Sequence, residues 1–195
     1  SSDLVAEVMQ HHGDGTKVVD LKGHTAIPGL NDSHLHLIRG GLNYNLELRW
    51  EGVPSLADAL RMLKEQALRT PSPQWVRVVG GWTEFQFAER RMPTLDEIND
   101  AAPDTPVFIL HLYDRALLNR AALKVVGYTK DTPNPPGGEI QRDANGNPTG
   151  MLIARPNAMI LYATLAKGPK LPLEQQVNST RQFMRELNRD RKSVV

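Results

Sequence analysis

Ala26-Ile27-Pro28-Gly29-Leu30-Asn31-Asp32-Ser33-His34-Leu35-His36 is the stretch on which the reading of this chain turns. Pro28-Gly29 sets a turn, and the apolar–polar run from Leu30 to Ile38 is expected to form a strand closed by Gly40-Gly41. Residues i and i+2 of a strand point the same way, so His34 and His36 would project together. Two neutral imidazoles side by side make half a site for Zn²⁺ or another divalent metal that accepts nitrogen. The other reading is a pair of alternating histidines, in the core or on the surface, that holds nothing. Asp32 would share their face, either as an outer partner fixing an imidazole tautomer or as a carboxylate capping the turn.

Upstream, residues 4–10 suit a short helical turn, and Lys17 to Asp20 and His24 to Pro28 read as short strands around the Lys22-Gly23 turn. Downstream, Ser55 with Asp58 starts a helix with Leu56, Leu60, Leu63 and Ala67 on one face, ended by Pro71 and Pro73. Trp75 to Val79 is a strand running into Gly80-Gly81-Trp82. Thr94 with Glu97 starts another helix, and Pro106 to Leu112 is an apolar, buried strand. Arg115 to Val126 reads as a helix stopped by Gly127. Residues 131–151, dense in Pro and Gly, read as a hairpin insertion around Asn145-Gly146. A helix is expected near Ala158 to Ala166, and another through Leu173, Val177, Thr180, Met184 and Leu187, before a strand opening at Ser193-Val194-Val195.

This alternation argues an α/β fold with a parallel sheet. No G-x-G-x-x-G follows a strand and no G-x-x-x-x-G-K-[ST] occurs, so the common phosphate-binding readings of such a sheet lack support. Composition narrows the function classes further. With Lys+Arg 23 against Asp+Glu 22, the net charge of +1 gives no global case for a nucleic-acid or anionic-membrane partner. No stretch approaches the roughly 18 consecutive apolar residues of a membrane span. The absence of cysteine excludes disulfides and thiolate ligands, and fits a reducing, cytoplasmic setting.

The segment from Ala26 to His36 resembles the opening of the barrel in the amidohydrolase superfamily, where a proline–glycine turn leads into a first strand carrying H-x-H. Lys17 to Gly23 resembles the end of that superfamily's small β-sandwich. Gly80-Gly81-Trp82, Arg91-Met92-Pro93-Thr94, Pro103 to Val107, Asn119 to Leu123 and Gly137-Gly138-Glu139-Ile140 continuing to Gly150 narrow it to the amidohydrolase 3 group, the YtcJ-like, N-substituted formamide deformylase-like hydrolases.

The resemblance implies a partial TIM-like (β/α)₈ barrel: residues 1–28 ending the N-terminal part of a β-sandwich, and 29–195 forming the first strands and helices of the barrel. A full barrel takes about 250 residues, so this chain corresponds to roughly the first half. It also implies a divalent metal, most simply zinc, on His34 and His36, and a small amide-like substrate hydrolysed at a carbon–nitrogen, non-peptide bond. The other ligands and the general base are expected beyond Val195, so the chain alone is expected to be inactive. Trp82 and His111, at strand ends, are candidates for the substrate pocket, against packing for Trp82 and an interior hydrogen-bonded histidine for His111. The run Arg189-Asp190-Arg191-Lys192 departs from the Gly-containing turn of the group. An open barrel edge is expected to favour self-association. The competing reading is a non-catalytic α/β interaction module without metal.

Overall fold

Strands are defined by the neighbours they pair with, and here the pairing separates the chain into two sheets. The computed structural model describes residues 5–189 and 192–193. A short helix α1 (Val5–Met9) precedes an extended arm that reaches β1 (Leu30–Asn31) and helix α2 (Leu37–Gly41). Then follow β2 (Glu47–Arg49), α3 (Leu56–Arg69), β3 (Val76–Val79), α4 (Leu95–Ala101), β4 (Val107–His111), β5 (Arg115–Leu118) and α5 (Arg120–Val126). The hairpin β6 (Gly138–Arg142) and β7 (Pro148–Ala154), helices α6 (Met159–Leu165) and α7 (Leu173–Arg189), and β8 (Lys192–Ser193) complete the order.

Strands β2 to β7 form one six-stranded sheet in the order β2-β3-β4-β5-β7-β6. Period-2 alternation splits their side chains between two cores. Val76, Val78, Val107, Ile109 and Leu117 meet Leu56, Ala59 and Leu63 of α3 and Ile98 of α4 on one face. Phe108, Ala116, Leu118 and Leu152 meet Ala122 of α5 and Ile160 and Leu161 of α6 on the other. The result is a three-layer α/β body.

Local chemistry accounts for most helix starts. Ser55 Oγ accepts from the Asp58 amide at 3.1 Å, and Thr94 and Glu97 close a reciprocal capping box. Gly127, at φ 74, ends α5 in the left-handed conformation that a side chain would resist. Asn119 is fully buried and bonds four backbone groups. Its Oδ1 accepts from Val107 and Ala122 at 2.9 Å each, and its Nδ2 donates to Ala102 at 2.7 Å and Thr105 at 2.9 Å. One side chain therefore caps α5 and pins the loop entering β4.

Several sequence expectations change. The strand expected over 30–38 is only two residues long. Asp32 Oδ1 accepts the His34 amide at 3.0 Å, which removes that amide from any ladder, and α2 begins directly after His36. The strands at 76–79 and 107–111 do not follow it in one parallel sheet: β1 pairs in parallel with β8, Leu30 opposite Lys192 and Asn31 opposite Ser193. The body between them carries antiparallel pairs β4–β5, β5–β7 and β6–β7, whereas barrel strands are all parallel. Residues 115–118, expected as the first turn of a helix, are strand β5, because pairing on both sides outweighs their helix propensity. The hairpin expected within 131–151 forms as β6 and β7, and β7 pairs with β5 as well as with β6.

Residues 17–28 keep the Lys22-Gly23 turn but form no strand, and Val18, Val19 and Ile27 are exposed. On α7 the expected apolar stripe is mostly exposed at Leu173, Val177 and Met184, while Ser179 and Leu187 are buried. Of the charged run after Asn188, Asp190 and Arg191 lie outside the described residues, as do Leu4, Val194 and Val195.

Candidate metal centre and adjoining cleft

His34 and His36 come together although no strand carries them. Their ring centroids are 5.0 Å apart with planes at 88°, and both residues are exposed. The Asp32 turn orients the backbone at His34, and His36 occupies the N-cap position of α2. Two imidazole nitrogens at this spacing are a fitting half-set for a four-coordinate divalent metal. Among the described residues no group of three or more His, Asp or Glu side chains converges to complete it.

The histidine segment is held from behind. A Cβ at Gly41 would lie 2.8 Å from Thr180 Cα, and one at Gly40 would lie 3.0 Å from the Phe183 ring. Only bare backbone permits α2 to lie this close to α7. Ser179 Oγ accepts the Asn45 amide at 3.1 Å and extends the same contact.

A cleft of about 540 Å³ opens between this segment and the C-terminal ends of β3 and β4. His36, Arg39, Arg77, Leu110, Tyr113 and Tyr162 are among its walls. Arg77 is 9% exposed, and its side chain makes one long hydrogen bond, 3.4 Å to the Pro169 carbonyl. Burial pulls its pKa down, against the attraction of Glu47 opposite it on β2. Burial likewise pushes the Glu47 carboxyl up, although Arg49 lies 2.9 Å away. The Arg39 guanidinium sits 4.1 Å from the Tyr162 ring centroid.

The other two candidates lie beside this cleft without lining it. Trp82 is fully buried, packs against Trp50, Phe87 and His111, and donates from Nε1 to the Leu110 carbonyl at 2.9 Å. His111 has both ring nitrogens on carboxylates, Nδ1 2.8 Å from Asp114 Oδ1 and Nε2 2.7 Å from Glu84 Oε2. Burial works against ionisation of Glu84 and Asp114, yet hydrogen bonding holds both carboxyls below their ordinary range. At the same strand ends it is Gly80, Gly81, Leu112 and Tyr113 that line the cleft, Tyr113 being a further residue of the stretch after His111 that the sequence offers for a pocket. Arg39 and Arg77 were missed. The signal for Arg77 was present, a lone charge within Val76-Arg77-Val78-Val79.

The α/β body and the H-x-H pair just after β1 suit a hydrolase of the class that comparison with known proteins shows. The Amidohydrolase family profile matches residues 17–194, and the chain belongs to that family. It is 36% identical over 149 residues to YtcJ of Bacillus subtilis, covering 76% of this chain and 28% of YtcJ. It is 37% identical to LONG AFTER FAR-RED 3 of Arabidopsis thaliana, over 72% of this chain and 24% of that protein. Identity to the N-substituted formamide deformylase of Arthrobacter pascens is 34%, over 70% of this chain and 26% of the enzyme. The chain thus spans about a quarter of the length of these relatives. The fold is similar to that of a metal-dependent hydrolase from Pyrococcus horikoshii, with a TM-score of 0.56 at 22% identity, covering 97% of this chain and 34% of that one.

Proposed function

We propose that this chain supplies part of a metal-dependent amidohydrolase that cleaves a carbon–nitrogen, non-peptide bond, with His34 and His36 as two of its metal ligands. The observation that carries the reading is the imidazole pair, 5.0 Å between centroids, inside a segment matched by the family. Zinc bound there would supply Lewis acidity toward a water and a substrate carbonyl. The chain's own contribution is positional: Asp32 sets the turn at His34, and the α2–α7 contact fixes where His36 stands.

In this reading β1 and β8 are neighbouring strands of a (β/α)₈ barrel, with the six-stranded body inserted between them and residues 1–28 the end of the N-terminal part of the sandwich. The remaining ligands and the general base come from beyond Val195, the isolated chain is inactive, and the unpaired flanks of β1–β8 favour self-association. The names of the deformylase and of the Pyrococcus hydrolase support the substrate class and the metal. A cytoplasmic setting belongs to the same proposal, and the cysteine-free sequence fits it. Among the described residues no helix is long and apolar enough to cross a membrane.

Zinc titration against a chromophoric chelator tests the assignment. Binding that disappears in His34→Ala/His36→Ala is expected, together with no turnover of an N-substituted formamide by the isolated chain. Zinc uptake unchanged in the double variant would remove His34 and His36 as ligands, and no uptake by either form would favour the non-catalytic α/β interaction module without metal.

A further inference from the structure

The cleft beside His36 is more selective than a generic groove. Three guanidinium groups, Arg39, Arg49 and Arg77, line it against the single carboxylate of Glu47. Arg49 is committed to Glu47 at 2.9 Å and Glu51 at 3.6 Å. Arg39 and Arg77 have no carboxylate within ion-pair distance among the described residues. Arg77 is nine-tenths buried with one long carbonyl bond, and the Glu47 carboxylate that attracts it is already paired with Arg49, so its charge is only partly compensated. An anionic ligand would supply the missing partner, with the two-point geometry that guanidinium offers to carboxylate. Leu110, Leu112 and Leu165 give the same space an apolar side, beside the polar His36 and Asn43. About 540 Å³ suits a small amphipathic molecule.

We propose that this cleft binds the substrate of the His34–His36 centre and selects amide-type molecules that carry a carboxylate, held by Arg39 and Arg77, on an apolar body lying against the leucines. This rests on the metal-centre reading above. The aromatic face of Tyr162 holds the Arg39 guanidinium in place, and Tyr113, 6.4 Å from Tyr162 between ring centroids, stands at the mouth.

The test uses 4-phenylbutyrate and its neutral counterpart 4-phenylbutyramide as probes, titrated calorimetrically into the chain. The carboxylate is expected to bind about tenfold or more tightly than the amide, the gain of a charge-assisted contact in a partly dry site. Arg39→Gln and Arg77→Gln are each expected to remove most of that preference, and Arg77→Lys to keep part of it. Circular dichroism and thermal unfolding establish that each variant is folded. Arg39 is exposed, so Arg39→Gln decides the matter even if Arg77→Gln does not fold. Equal binding of the two probes, binding of neither, or a preference unchanged in folded Arg39→Gln overturns the proposal. His34→Ala/His36→Ala is expected to retain the carboxylate preference while losing zinc, so failure of the cleft and failure of the metal centre give different patterns.

Discussion

The six-stranded body and the histidine segment are built to different standards. In the body, side chains such as Asn119 and Trp82 are fully buried and hydrogen-bonded, and two cores sandwich the sheet. Around the histidines, residues 31–34 are exposed, β1 is two residues long, and support comes through the close α2–α7 seam at Gly40 and Gly41 with the Asn45–Ser179 bond beside it. The histidine pair thus sits on the less supported region, where ordering depends on few interactions and is correspondingly local. The body contributes a stable wall, and the cleft lies where the two regions meet.

Substitutions can break that contrast from either side. Asn119→Ala is expected to have the largest effect, about 3 kcal/mol or more in urea unfolding, because four backbone groups, three of them in buried bonds, lose their partner together. A loss under about 1 kcal/mol would mean that the body tolerates defects as readily as the segment does.

Gly41→Ala comes next, at about 2 kcal/mol, since the added methyl must displace the Thr180 backbone. Hydrogen exchange should show the damage confined to α2 and α7, with β3 to β5 still protected. Uniformly faster exchange would show that the two regions unfold as one.

Acid provides a milder probe of the body. Two hydrogen bonds from Arg91, at 2.6 Å and 2.8 Å, hold the Glu97 carboxyl at about 2, against an ordinary value of 4.5. A depressed native pKa means that the unfolded chain takes up the proton first. The stabilisation is complete above 4.5 and is lost as pH falls toward about 2. Glu97→Gln should therefore flatten stability across that window and leave the rest of the acid profile unchanged. An identical slope in both proteins would remove Glu97 from the account.

The smallest effect is expected for His34→Ala/His36→Ala without metal, within about 0.5 kcal/mol, as for exposed groups away from the core. A substantial loss would show that the pair serves the fold.

The same contrast governs what the sequence made legible. Helix starts at Ser55 and Thr94, the stop at Gly127 and the turn at Asn145-Gly146 rest on local hydrogen bonds or backbone freedom, and all appear in the structure. Strand β5 was hidden because Arg115-Ala116-Leu117-Leu118 favours helix locally, and only its neighbours β4 and β7 make it extended. Its boundary was nonetheless written in Asn119, a good N-cap residue. Strand β2 was invisible as a three-residue edge strand. In the candidate site, the closeness of the two histidines was readable from spacing even though Asp32-Ser33-His34 turns the chain out of the expected strand. The arginines of the cleft were not, because their convergence is a product of tertiary packing between α2, β3 and α6.

The direct pairing of β1 with β8 gives the intervening body the topology of a detour. The polypeptide departs and returns at adjoining points, so the six-stranded body can drift in size or decoration without altering the spacing of the two strands. What such drift must preserve is the glycine-lined seam between α2 and α7, which gears the position of the histidines to the helix that delivers the returning strand.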